Sequence, residues 1–205
     1  MIELLISFCI SSAGMAISPG PDNVYVLTQS ITNGTSYGIA TTAGLIAGCI
    51  VHTTLVAFGV SAVLLASETA FFIIKMAGAI YLLYLAYKVY KAGNTLMITS
   101  AGAVKRSHFQ LFKQGVIMNI LNPKVTIFFM AFFPAFLWDT SGNTVFQFYI
   151  LGGLFMVISF VIFSAIALLS GRISVFLQKK KGAGMFFKWL QIIVFVGIAV
   201  FLFLP

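Results

Sequence analysis

Two residues of opposite charge, Asp22 and Lys124, stand in long apolar stretches of this 205-residue chain. Each follows a proline within two positions. The first lies in Ser18-Pro19-Gly20-Pro21-Asp22-Asn23, the second in Asn119-Ile120-Leu121-Asn122-Pro123-Lys124. A carboxylate in apolar surroundings is costly enough for function to be its default reading. Asp22 can bind an ammonium group or a proton, and the two compete for one carboxylate. Lys124 can bind a carboxylate, with Asn23, Asn119 and Asn122 as further polar contacts to a solute. The structural alternatives stay open: Asp22 as a helix cap or as the ion-pair partner of Lys124, Lys124 snorkelling to the membrane surface, and the asparagines as caps at helix breaks.

Other chemistries find little support. Cys9, Cys49, His52 and His108 show no metal-ligand spacing and no disulfide framework, so neither a metal nor another cofactor is expected. His52, alone on an apolar segment, reads as a hydrogen-bonded interhelical residue. No GxxxxGK[ST] phosphate loop occurs. Uphill movement of a solute would therefore need an ion gradient or a partner protein.

The elements that position these residues follow from composition. Only 8% of residues are charged and 60% are hydrophobic, against roughly 25% charged in a soluble domain. That excludes soluble enzymes and nucleic-acid-binding modules, despite a net charge of +8. No Asp, Glu, Lys or Arg occurs between Asp22 and Glu68, between Asp139 and Arg172, or after Lys188. Such unbroken runs suit transmembrane helices rather than alternating barrel strands. We place six spans at about 3–31, 37–64, 70–89, 108–137, 145–169 and 185–204. Glu3, with no Lys or Arg beside it, argues against reading the first span as a signal peptide.

The basic residues Lys88, Lys91, Lys105, Arg106 and Lys113, then Arg172, Lys179, Lys180, Lys181 and Lys188, fall on one side of a six-span arrangement. Glu3, Glu68 and Asp139 fall on the other. The positive-inside rule puts the basic loops in the cytoplasm and both termini outside. Lys179–Lys181 reads as a topology anchor against anionic membrane lipid.

The first and fourth spans are too long and carry interior prolines. A continuous helix over 3–31 would measure about 44 Å at 1.5 Å per residue. Proline removes a helix hydrogen bond and clashes with the preceding turn. Each span should break near mid-membrane and restart with a capping residue before proline, Ser18-Pro19 and Asn122-Pro123. Exposed amides and a partial positive charge then face the membrane interior.

The halves also match weakly: Pro19 with Pro123, Gly44 and Gly48 with Gly152 and Gly153, Lys75 with Lys188. This suggests an all-α fold of two inverted three-helix repeats, about 1–93 and 108–205, joined by a basic loop at about 90–107. Helices 1 and 4 are the discontinuous ones. Such helices at matching positions of inverted repeats point to a transporter's central site. Gly44 and Gly48 read as close-packing positions within a protomer or between two, and a homodimer stays open.

The Ser18–Asn23 segment, the Asn119…Asn122-Pro123-Lys124 segment and the Lys75-Met-Ala-Gly78-Ala-Ile-Tyr81-Leu-Leu-Tyr84-Leu pattern together resemble the LysE/RhtB family. The resemblance covers essentially the whole chain. It implies a six-span exporter of amino acids or their derivatives in the bacterial inner membrane, driven by proton exchange. The direction of transport rests on the resemblance alone. Gln191 departs from it, standing where Gly78 suggests a small residue. In the mechanism expected, the half-helix amino ends and Lys124 hold a substrate carboxylate. Asp22 and Asn23 hold its ammonium end, and a proton reaching Asp22 from outside resets the carrier. Exporters of metals or other solutes on the same scaffold, an intramembrane enzyme and a non-transport assembly subunit are the other readings. The first two lack the necessary clusters of acidic, His or Cys residues. The third has no need of two broken spans.

With ten of the twelve basic residues on one side, alkaline phosphatase fused after Pro205 is expected to be active and a cytoplasm-dependent fluorescent protein dark. The reverse pattern would require an odd number of spans.

Overall fold

The computed structural model of the chain describes residues 2–91, 106–140, 142–179 and 182–203. Within them the chain is almost wholly helical, with no strand. The expected basic loop lies mostly outside these residues, and Lys105, Lys180 and Lys181 with it.

Helix α1 (Ile2–Ile17) and helix α2 (Pro21–Asn33) are bent by 57° at the first proline cluster. Helix α3 (Thr35–Leu55) passes through a wider π-helical turn at Val56–Val60 into α4 (Ser61–Ala66). Helix α5 (Glu68–Lys91) follows. Then come α6 (His108–Ile120) and α7 (Pro123–Ile127), which winds on through π-helical Phe128–Phe132 and 3₁₀-helical Phe133–Phe136. The second break bends the chain by 51°. The last elements are α8 (Thr144–Leu168), α9 (Ser170–Lys179) and α10 (Ala183–Phe201). Among the described residues, four segments are long and apolar enough to cross a membrane unbroken, and up to six when each bent pair counts as one span. The six spans expected from hydropathy are these, to within a few residues at each end.

Helix α9 is the element the hydropathy pattern does not announce, because its ten residues sit in a segment read as a charged loop. Its Arg172, Val175 and Phe176 are exposed while Ile173 and Leu177 are half-buried, the division expected of an amphipathic helix.

Glycines bring α3 onto α6. A Cβ added at Gly44 would strike the carbonyl of Phe112, and one at Gly115 would lie 2.5 Å from the Thr41 carbonyl oxygen. At Gly48 it would lie 2.7 Å from the Asn119 Cβ. Gly44 and Gly48 therefore serve packing within the protomer. Gly152 meets the Thr53 side chain of α3, whereas Gly153 faces open space.

The chain after the second break buries a row of aromatic rings. Phe128, Phe129, Phe132, Phe133 and Phe136 are fully enclosed together with Phe8 of α1. Phe8 meets the edges of Phe133 and Phe136 at 5.1 and 5.2 Å between ring centres, the offset geometry that aromatic quadrupoles favour. At the other end of the bundle, the Lys188 ammonium lies 5.6 Å from the Tyr90 ring centre. Trp189 meets the same ring edge-on. The basic end of α5, with Lys88 and Lys91, thus meets the Lys188 end of α10 beside aromatic rings suited to a membrane interface.

Replacing Gly44 or Gly115 by valine overpacks the α3–α6 contact and is expected to cost about 1–3 kcal/mol. Thermal unfolding in detergent should show both variants melting earlier than wild type, with Gly153→Ala unchanged. Equal melting of all three would mean that α3 and α6 are not in close contact.

Candidate functional site

Each proline frees a backbone carbonyl one helical turn upstream, because it has no N–H to donate to residue i−4. Pro19 frees Met15 O, and Pro123 frees Asn119 O. In hydrocarbon such groups must find partners inside the protein. The Lys124 ammonium donates to Met15 O at 3.1 Å and to Ser18 O at 2.8 Å. The Asn23 side-chain amide donates to Ala16 O at 2.7 Å. At the second break, His52 Nε2 lies 3.1 Å from Asn119 O. A carbonyl only accepts, so this ring nitrogen carries the proton. The Asn122 backbone N–H donates to the same oxygen at 3.0 Å. His52 is thus the interhelical hydrogen-bonding residue that its isolation on α3 suggested.

The carboxyl end of α1 is therefore closed by a cation from the other half of the chain, where the helix dipole favours one. The ammonium also lies 5.6 Å from the Phe195 ring centre on α10. The ammonium passes close to Gly20, where an added Cβ would sit in van der Waals contact, 3.4 Å from Lys124 Nζ. Lys124 is buried and does not snorkel. Nor does its ammonium hydrogen-bond the Asp22 carboxylate; its bonds go to the two carbonyls.

The second restart is as expected. Asn122 caps α7 by accepting the Lys124 backbone N–H at 3.0 Å, with Pro123 at the first helical position. The first restart is not at Ser18-Pro19. Helix α2 begins two residues later, with extended Gly20 before it and Pro21 at its first position. The reason is steric. A residue before proline is pushed out of the helical region, so Pro21 forbids Gly20 a place in a helix starting at Pro19. Ser18 instead ends α1, its N–H bonded to Gly14 O, and its buried hydroxyl caps nothing. Pro21, not Pro19, stands at the first position of its restarted helix, as Pro123 does in α7.

The two breaks meet directly. The Asn122 side-chain amide donates to Asp22 Oδ2 at 2.9 Å, so Asn122 both caps its own helix and ties it to α2. Asp22 sits in the first turn of α2, where the dipole favours a negative charge. Asp22, Asn23, Asn119, Asn122 and Lys124, all five of the polar candidates, line one cavity of about 20 Å³. Other lining residues include Cys49, Phe155 and Ser159, none of which was a site candidate from sequence. Cys49 entered the sequence analysis only as a residue without metal-ligand or disulfide spacing. Ser159 is a hydroxyl in a very apolar helix and carries no signal of its own.

Among the lining groups, Asp22 Oδ1, Asn119 Oδ1 and Ser159 Oγ are buried without a hydrogen-bond partner. Two of the three can only accept. These acceptors suit a donor, an ammonium group or a proton. Among the described residues, no group of three or more His, Cys, Asp or Glu could hold a metal ion.

Residues 13–204 match the family described as LysE type translocator. The homoserine/homoserine lactone efflux protein of Salmonella typhimurium is 31% identical over 179 residues, covering 87% of this chain and 86% of the relative. The leucine efflux protein of Salmonella choleraesuis is 27% identical over 193 residues, covering 94% and 91%. No solved structure matches significantly.

Substituting His52 by phenylalanine leaves Asn119 O with the Asn122 N–H alone and is expected to cost about 0.5–1.5 kcal/mol. Glutamine, which can donate, should recover most of it. Thermal unfolding of the purified variants decides: a phenylalanine variant as stable as wild type would mean that the His52 bond does not hold the second break.

Proposed function

We propose that this chain, which belongs to the LysE-type translocator family, exports amino acids or their derivatives across the bacterial inner membrane in exchange for protons. Efflux of homoserine, its lactone and leucine by the named relatives supports the substrate class. The observation that carries the site assignment is the meeting of the two helix breaks at Asp22, through Asn122, around a buried cavity with unsatisfied acceptors. Asp22 binds the substrate ammonium, with Asn23 and Asn119 beside it. Lys124 and the amide-bearing starts of α2 and α7 attract the carboxylate.

A cavity of about 20 Å³ has room for roughly one water molecule. An amino acid fits only if the elements around the breaks move apart. The two halves, read as inverted three-helix repeats, therefore rock about the site and open it to each side in turn. The basic end faces the cytoplasm and both termini face outward. On the outward side, the substrate leaves when a proton takes its place on Asp22. The protonated carrier returns and gives up the proton inside, where the next substrate binds. One carboxylate that holds either cation, never both, couples the two flows.

A protonophore is accordingly expected to abolish uphill export of labelled amino acid from loaded vesicles. Asp22→Asn, which can still accept the Asn122 bond but cannot titrate, should lose at least ten-fold in proton-driven export while reaching the membrane normally. Uphill export by this variant at the wild-type rate would move coupling away from Asp22.

A further inference from the structure

A second cavity adjoins the first. It is a half-open groove of about 330 Å³ between α2, α8, α9 and the start of α10, and Asn23 lines both cavities. Among the described residues, Asn23 is the groove's one polar lining side chain; the others are aliphatic, aromatic or proline, and none of them is charged. Leu27 comes from α2, Ile166 from α8 and Phe187 from α10. Helix α9 contributes Ile173 and Leu177, four residues apart and so on one helix face. The helix that hydropathy reads as loop thus closes part of the groove with its apolar side. The groove runs from the break beside Asp22 toward the Lys188 end of α10.

A charged or strongly polar group could not be desolvated here without partners. An apolar one is favoured by about four-fold in affinity for each buried methylene. A closed apolar cavity of roughly 150 Å³ holds a benzene ring. A groove of about 330 Å³ therefore has space for a side chain of leucine or phenylalanine size. Continuity through Asn23 decides between occupants. A molecule with an ammonium group at Asp22 and an apolar substituent reaching past Asn23 fills both cavities at once. A lipid acyl chain would use only one of them.

We propose that this groove is the side-chain subsite of the carrier, and that its preferred substrates are neutral amino acids or amino-acid derivatives bearing an apolar side chain. This rests on the export reading above and adds to it the feature that selects among substrates. Lysine and glutamate, whose side chains would bring an unpaired charge into the groove, are excluded by the same physics.

The test is transport by the full chain in proteoliposomes, with labelled leucine, phenylalanine, alanine, lysine and glutamate. Wild type is expected to prefer leucine and phenylalanine to alanine by at least ten-fold in apparent affinity, and to move lysine and glutamate poorly. Ala165→Phe, which fills the groove from α8, should reduce the leucine-to-alanine preference at least ten-fold. Ile166→Ala, a milder change, should lower leucine affinity and shift preference toward phenylalanine. Transport of all five without discrimination would overturn the subsite while leaving the export reading intact. A leucine-to-alanine ratio that neither variant alters would also overturn it, and would favour an acyl chain as the occupant. Failure of wild type to move any amino acid would overturn the export reading, and the subsite with it.

Discussion

A carbonyl released by proline inside a membrane has no water to turn to, and the architecture around both breaks answers that one constraint. Met15 O and Asn119 O are the released groups, and each is bonded by a side chain from a distant part of the chain. Lys124 reaches the first and His52 the second. A side-chain partner of each break is therefore supplied by another element, although Asn119 O also keeps the local Asn122 N–H. Asn122 adds a direct tie to Asp22. Polar groups that would be expensive one by one are tolerable here because most of them satisfy one another. Of those left unsatisfied, Asp22 Oδ1, Asn119 Oδ1 and Ser159 Oγ line the cavity between the breaks.

The packing that serves this constraint is unusually close. Gly44, Gly48 and His52 recur at intervals of four and share one face of α3. The glycines lower that face onto α6, and the histidine, one turn further on, then meets the end of α6 where the free carbonyl is. Beyond the break the chain abandons regular α-helix for π and then 3₁₀ winding. It keeps its phenylalanines turned into the interior all the same. Phe155 belongs to both regions, lining the polar cavity and touching Phe128 and Phe129. One rigid aromatic core thus begins where the polar site ends.

Much of this was legible in the sequence because membrane solvation is so demanding. Charge-free runs could only be spans, and Pro123 after Asn122 could only be a capped restart. The five polar candidates could be chosen because polar residues at such depth are rarely idle. What remained hidden depended on competition between local preferences or on distance. Ser18-Pro19 had the form of a restart, but Pro21 two residues later overruled it. Whether Lys124 would pair with Asp22 or with carbonyls was a question of three-dimensional reach, and the carbonyls won. Helix α9 escaped notice because its ten residues carry too little apolar surface to register against the spans on either side. Its role becomes visible only when α2, α8 and α10 surround it.

The bond from Lys124 to Met15 spans 109 positions of sequence, and it has a consequence for biogenesis. During synthesis the first span enters the bilayer long before its closing cation exists. At about 5–20 residues per second, translation needs roughly 5–20 s to cover that distance. For that interval the carboxyl end of α1 must be tended by water, lipid headgroups or the insertion machinery. The amino-terminal half thus matures only once the fourth span has arrived, and the ribosome finishes the beginning of this protein near its middle.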